Sequence, residues 1–538
     1  MAVIALAGFA GENRAIHPKL LPDAVGVVSR NQKPSRGDLR PWKQPATVAT
    51  IPAGRQTIYR MDRDVASDTQ YWLSWPGIVH AVRGFDAEDT TERTYYTGDG
   101  VPKVTNNIAL SGVVPQDNPG ANWRPLGLPA PASAPLVLTD AGTWTGDQET
   151  YFYVYTYVND WGWESAPSPA SLQNDRPSDA TATVSGFAAP PAGNYQINRI
   201  RIYRTQTGAS GATEFFFLRE IAYGTPNTTD DNRDLGDVMA TSTWIMPPED
   251  LSFLTTLWNG MLAGISGNAV RFCEPYVPYA WPIAYDVVPP DSKPVGLGVF
   301  GQSLLVLTTG RPLLLAGTST DMDQQPLEIP QACIAPRSIV SMGSGVAWAA
   351  EDGLCWYGSG GARILTAGVM TREDWRALNP SSIIGRFYEG LYFGSYLDGD
   401  TRRGFMIDPS NPQGVFFLDA GYVGMHFDEL KDQLYVLNGT NVQKWDAGSP
   451  YTYRFRSKVF KGPKPSNFAC CEVVADAYPV TVRFFGDSVL KHTKSVTSRD
   501  PFRLPAGFRA TDWQIEVEGT NPVQSVAMAH SVAELRAV

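Results

Sequence analysis

Acidic side chains at turns are the first place to look for chemistry in this chain. Three Asp-rich runs stand out: DMDQQP (321–326), DGDTRRG (398–404) and TTDDNRDLGD (228–237). Clustered carboxylates could hold a hard cation, but none of these runs has the Asp-x-Asp-x-Asp-Gly…Glu order of a calcium loop. All three read as polar hairpin tips. Two carboxylates facing each other across a cleft could instead cleave a glycoside. Asp352, Asp398 and Asp432 are candidates for such a pair, and sequence does not rank them. Repeated Ser-x-Asp-x-Gly-x-Thr-Trp boxes are absent. The five histidines, His17, His80, His426, His492 and His530, never fall at metal-ligand spacing, so each reads as a surface or core residue. GSGG at 358–361 lacks the following Lys-Ser/Thr of a phosphate-binding loop and reads as a turn. There is no GxSxG. Asn227-Thr228-Thr229 and Asn438-Gly439-Thr440 are formal glycosylation sequons, of little meaning without a secretion signal. The expectation is no enzyme: no catalytic residue, no metal ligand, no cofactor-binding residue and no cofactor.

The elements around these residues repeat. Five units share one pattern, an apolar β-run, a glycine turn and a second apolar run: GMLAGISGNAVRF, SLLVLTTGRPLLL, GVAWAAEDGLCWY, GLYFGSYLDGDTRRGFMI and QLYVLNGTNVQKW. Their turn glycines, Gly267, Gly310, Gly353, Gly399 and Gly439, are 43, 43, 46 and 40 residues apart. Short Val/Ile/Leu/aromatic runs ending at Gly, Asn or Asp are hairpin signals. A hairpin every 40–45 residues or so is the period of a β-propeller blade. One blade cannot bury both faces of its sheet, whereas blades packed around an axis can. Unrelated hairpins in a sandwich would have no reason to keep one period.

The 538 residues allow three or four domains by the usual size prior. With 50 Gly, 42 Pro, 23 Tyr, 23 Phe and 15 Trp and no sustained helical period, the chain reads as all-β. A short helix is expected near Arg372–Leu378. The net charge of −10 and the absence of Lys/Arg blocks argue against tight nucleic-acid binding. Five cysteines, with no CxxC and with Cys470 and Cys471 adjacent, suit a reducing compartment without structural zinc. The apolar start MAVIALAGFAG lacks a positive n-region, and no run of about 20 apolar residues exists for a membrane span. Synthesis in a cytoplasm is expected.

Taken in order, residues 1–40 read as an extended arm that docks on its own domain or a neighbouring subunit, or else as a simple tail. Residues 41–130 read as first propeller blades, from ATVATI, TIYRM, QYWLSW, IVHAVRGF and RTYYTGDG. Residues 131–248 open with a Pro/Ala linker and read as an inserted β-sandwich. In it Tyr151, Tyr153, Tyr155 and Tyr157 share one strand face. YTYVNDWGWESAPSP within it resembles the strand and turn of fibronectin type III modules. Residues 249–450 carry the remaining blades, and 451–538 form a small C-terminal β-domain.

The arm, the split propeller with its insertion and the tail domain together resemble the tail nozzle (tail tubular protein B-like) proteins of short-tailed bacteriophages. The residues carrying the resemblance are LLPDAVGVVSRNQ (20–32), YYTGDGVPKVT (95–105), YVNDWGWESAPSP (157–169), TTLWNGMLAG (255–264), YRFRSKVFKGPKPSNF (453–468), RLPAGFRATDWQIEVEG (503–519) and SVAEL (531–535). The resemblance implies a structural virion protein: a homohexameric ring below the head–tail adaptor and portal, forming the distal channel for genomic DNA and a platform for fibres or spikes. Double-stranded DNA would pass without specific binding, and the protein would reside in the virion tail after synthesis in the bacterial cytoplasm. An acidic chain suits a conduit for a polyanion, because each neutralised phosphate would slow passage. The alternative is a propeller that binds or cleaves polysaccharide, with the two small β-domains as accessory modules.

Overall fold

The computed structural model describes residues 3–34, 36–61, 67–86, 89–108, 122–207, 213–231, 234–318 and 321–536. The described chain is nearly all β. Its principal helix, Arg372–Ala377, falls where expected, with the Thr371 side chain accepting from the Asp374 N–H as an N-cap.

Seven antiparallel sets of strands lie between Ala46 and Lys444. Sheet I pairs Thr57–Arg60 with Trp72–Trp75. Sheet II runs His80–Arg83, Thr94–Thr97, Lys103–Thr105 and Arg124–Pro125. Sheet III holds Ser252–Thr256, Leu262–Ser266 and Ala269–Phe272. Sheet IV holds Pro294–Phe300, Ser303–Thr308, Leu313–Thr318 and Asp321–Pro326. Sheet V holds Val340–Ser341, Gly345–Ala349, Leu354–Gly358 and Gly361–Ile364. Sheet VI holds Ile384–Tyr388, Leu391–Asp398, Thr401–Ile407 and Phe416–Leu418. Sheet VII holds Gly424–Asp428, Gln433–Asn438 and Asn441–Lys444, and its fourth strand is Ala46–Thr50 from near the N-terminus. The five repeated units are the central hairpins of sheets III to VII. Gly267, Gly399 and Gly439 have positive φ, as two-residue hairpin turns demand. Gly353 is needed for space instead, since a Cβ there would meet the Thr366 hydroxyl at 2.4 Å.

Alternation along each central strand sends its side chains to two neighbours. In sheet IV, Leu304 and Val306 pack with Leu254 and Leu262 of sheet III, while Leu305 and Leu307 pack with Val346 and Trp348 of sheet V. In sheet V, Ala347 and Ala349 face Tyr392 and Phe405 of sheet VI. Phe393 and Met406 of sheet VI meet Leu434 and Val436 of sheet VII. Tyr435 and Leu437 then meet Ile58 and Trp72 of sheet I, and Leu73 and Trp75 meet Tyr96 of sheet II. Tyr95 and Val104 of sheet II return to the cluster of sheet III. The central strands are therefore buried on both faces, and the order of contacts returns to sheet III.

Three sequence expectations are corrected. ATVATI does not belong with the strands that follow it. It crosses to sheet VII, where Ala46–Thr50 pairs with Asn441–Lys444. DMDQQP is no hairpin tip but the outer strand of sheet IV, in register with Leu313–Thr318. In the 228–237 run, Asp230 is fully buried rather than at a tip, because Arg176 and Arg204 bring it two positive charges.

Residues 3–34 are woven into the chain's own body. Val3–Leu6 pairs with Val523–Ala529 of the C-terminal region. Gly26–Arg30 lies between Phe416–Leu418 of sheet VI and Tyr453–Ser457, so one ten-stranded sheet runs from sheet VI into the C-terminal region. The Arg14 and Arg30 guanidiniums each lie 4.6 Å from the Phe417 ring centroid. All five cysteines are free and buried.

The insertion forms small sheets around a core of Tyr151, Tyr153, Tyr155, Tyr157, Val184, Ile200, Ile202 and Leu218. The serines of ESAPSPAS close one edge. Ser165, Ser168 and Ser171, three residues apart, each donate a backbone N–H to the carbonyls of Tyr157, Tyr155 and Tyr153 respectively. Each Oγ accepts from the N–H of the same tyrosine, at 3.0–3.1 Å. The prolines between them hold an extended backbone and bring no N–H of their own. The edge of strand Tyr153–Asn159 is thereby covered, which removes a pairing template. Ser168→Ala leaves the buried Tyr155 N–H without its hydroxyl acceptor, and a loss of about 1–3 kcal/mol is expected. Hydrogen exchange at Tyr155, faster in the variant, checks it.

Candidate functional site

The first strands of the seven sheets converge on a partly open cavity of about 180 Å³. Every sheet contributes to its wall through its first strand or the residues just before it. Three of the lining side chains can carry positive charge. Arg386, from the first strand of sheet VI, donates Nε to the Met425 carbonyl at 2.9 Å and Nη1 to the Gly385 carbonyl at 3.1 Å. Arg337 comes from the 3-10 turn Pro336–Ser338 ahead of sheet V. Its Nη2 donates to the carbonyls of Gln56 (2.9 Å) and Val423 (2.6 Å), tying sheet V to sheets I and VII. His80 opens sheet II, and its ring lies 4.5 Å from that of Phe253 in sheet III. The Nδ1 of His80 is buried and has no hydrogen-bond partner among the described residues.

No carboxylate lines this cavity among the described residues. Burial, then the charges of Arg386 and Arg337, push the His80 pKa down from 6.5 to about 4. Burial, with Arg386 and Arg402 nearby, lowers Arg337 to about 10. Burial also lowers Arg386. At neutral pH the imidazole is therefore neutral beside a charged Arg337. The arrangement can attract and hold negative charge. It offers no acid–base pair for glycoside cleavage.

The depressed His80 pKa ties stability to pH. The unfolded chain takes up this proton near 6.5, the folded chain only near 4, so stability is lost as pH falls between those values. The two and a half units between them correspond to about 3 kcal/mol. Denaturant midpoints from pH 7 to pH 4 should fall less steeply in His80→Gln than in the wild type.

The carboxylates singled out by sequence do not meet. Asp352 pairs with Arg372 and accepts from Gln331. Asp398 pairs with Arg403 at 2.7 Å. Asp432 occupies a left-handed turn position. Among the other histidines, His426 packs against Tyr59 and Trp72, and His530 stacks on Phe468. Among the described residues no cluster of His, Cys, Asp and Glu could hold a metal ion. No described helix is long and apolar enough to cross a membrane. The sequence reading did not single out Arg337 and Arg386, and His80 it read as a surface or core residue. The available signal was their position, each at the inner start of a repeat.

A second recess, of about 380 Å³, lies between sheet II and the insertion. Trp123 and Trp161 flank it, with the Arg124 guanidinium 3.9 Å from the Trp161 ring centroid and Lys103 Nζ 4.4 Å from that of Trp123. Asn194 and Gln196 supply polar groups.

No family model and no curated protein matches the chain. Among solved structures, apo AztD from Citrobacter koseri aligns at 12% identity, covering 69% of this chain and 99% of its own, with a TM-score of 0.25. The AfRom2 CNH domain aligns at 9% identity, covering 58% and 93%, with a TM-score of 0.22. A crystal structure of the mitotic checkpoint complex aligns at 10% identity, covering 49% and 83%, also with a TM-score of 0.22. At such scores the likeness carries no argument about this chain.

Proposed function

We propose that this chain is the tail nozzle of a short-tailed phage, a structural virion protein without an active site. In this reading sheets I to VII are the blades of a propeller, residues 131–248 a fibronectin-like insertion and residues 451–538 a C-terminal β-domain. The observation that carries it is where the insertion enters. It lies between sheet II, which ends at Arg124–Pro125, and sheet III, which begins at Ser252, so the cyclic set of sheets is split in sequence. That is the order of parts the resemblance requires. Six copies would form a ring below the head–tail adaptor, pass DNA at ejection and carry fibres or spikes. Heterologous contacts close such a ring.

Mass photometry of the purified chain, alone and with its adaptor ring, tests the proposal. A complex with six copies is the expected result. A monomer that ignores the adaptor and is missing from purified virions overturns it.

The recess at Trp123 and Trp161 favours a second reading, polysaccharide binding, since aromatic faces beside amide side chains suit sugar rings. Saturable quenching of tryptophan fluorescence by host surface glycans supports it. A silent glycan array removes it.

A further inference from the structure

We propose that the axial cavity is a binding site for one small tetrahedral oxoanion, of the phosphate or sulfate type, held by Arg337, Arg386 and His80. This does not depend on the tail reading.

The donor inventory leads to it. A guanidinium has five N–H donors and no acceptor. Arg337 spends Nη2 on two carbonyls, and its Nε and Nη1 have no acceptor among the described residues. Arg386 spends Nε and Nη1 on carbonyls, and its Nη2 has none. His80 Nδ1 is buried and likewise unpartnered. All three side chains line the same cavity. Both guanidiniums are half-buried, and no carboxylate of the cavity wall offsets their charge among the described residues. Water can take the hydrogen bonds but not the charge. An oxoanion takes both, and its oxygens can accept from several N–H groups at once.

Size fixes the class. The cavity, about 180 Å³, is below the 300–1,000 Å³ or so of pockets that hold drug-sized ligands, which suits a small anion. The neutral imidazole supplies an N–H donor without requiring a proton from solvent. The groups facing His80 are Arg337 ahead of sheet V and Arg386 of sheet VI. The wall from sheets I, III, IV and VII brings Thr57, Thr255, Leu297 and Met425, none of which titrates here. The bound anion would therefore join sheets II, V and VI at the axis.

The test uses the full chain with inorganic phosphate, sulfate, acetate and chloride at matched ionic strength. Phosphate and sulfate are expected to raise the melting temperature saturably by several degrees, and chloride not to. Arg386→Met should abolish the rise, and Arg337→Gln should reduce it. If either variant fails to fold, the wild type decides alone by NMR of ring-labelled histidine. Without phosphate His80 titrates near 4, and with phosphate its midpoint moves up by at least one unit while the other four histidines keep theirs. No saturable stabilisation and an unmoved His80 midpoint overturn the proposal. So does a response to acetate with none to phosphate or sulfate.

Discussion

Asp230→Ala is expected to unfold the inserted module while the seven sheets stay folded. Asp230 is fully buried and accepts from the Tyr153 hydroxyl (2.6 Å), Arg176 Nη2 (2.8 Å) and Arg204 Nη1 (2.7 Å). Both guanidiniums lie against the Tyr151 ring, with centroid distances of 4.6 and 4.8 Å. One carboxylate thus balances two buried cations and fixes the first two tyrosines of the core. Removing one partner of a buried pair costs about 3–5 kcal/mol, because the remaining charge stays desolvated. A small domain has only about 5–15 kcal/mol in total. Hydrogen exchange over Gln148–Asp230 and limited proteolysis report the loss locally, which matters in a chain this large because no single unfolding free energy describes it. Asp230→Asn, which keeps an acceptor for Tyr153 but not the charge, should fall between. Burial raises the Asp230 pKa, but the Tyr153 hydroxyl and the two guanidiniums outweigh it, so the carboxyl sits below its usual 3.8. Its contribution is present above that value and lost as pH falls through the lower folded one. Unchanged protection in Asp230→Ala would refute this account.

The contrast between Asp230 and the repeated hairpins shows which parts of the structure sequence could reveal. Hairpins are local. Gly267, Gly399 and Gly439 mark their turns within ten residues of both strands they join. The tyrosines of 151–157 announced their shared face by alternation alone, and all four are buried. Asp230, in a polar run, carried no sign of the arginines 54 and 26 positions away. The same holds for Ala46–Thr50, which pairs across nearly four hundred residues with Asn441–Lys444. Such pairing is decided by which edge is open when the other sheets have packed, and no nearby residue records it. The cationic cluster of the cavity is the extreme case. His80, Arg337 and Arg386 come from three sheets, and only the convergence of first strands brings them together. The serines of 165–171 lie between these limits. Their spacing of three was visible, but its match to alternate N–H groups of a strand was not.

Asp428→Ala is expected to open the seam where the last sheet meets the first. Asp428 ends the first strand of sheet VII, and its Oδ2 accepts from Arg60 Nη1 of sheet I at 3.2 Å, with both side chains essentially without solvent. Its Oδ1 accepts from the N–H groups of Leu430 and Lys431, holding the turn that follows. Nearby, Asp68 accepts from Lys431 Nζ (2.9 Å) and Lys444 Nζ (3.3 Å). Burial raises the Asp68 pKa, yet the Lys431, Tyr435 and Lys444 side chains hold it below its usual value. Those partly exposed pairs are worth little each, whereas the Arg60–Asp428 pair is dry, and its loss costs about 3–5 kcal/mol. The consequence should be localised. Ala46–Thr50, Thr57–Arg60 and Asn441–Lys444 should gain hydrogen exchange while sheets III to V keep theirs, because every other junction retains its own apolar cluster. Asp428→Asn keeps the turn acceptor and should lose less. Equal exchange in all seven sheets after Asp428→Ala would mean that the sheets unfold as one unit and that the seam is no weaker than any other junction.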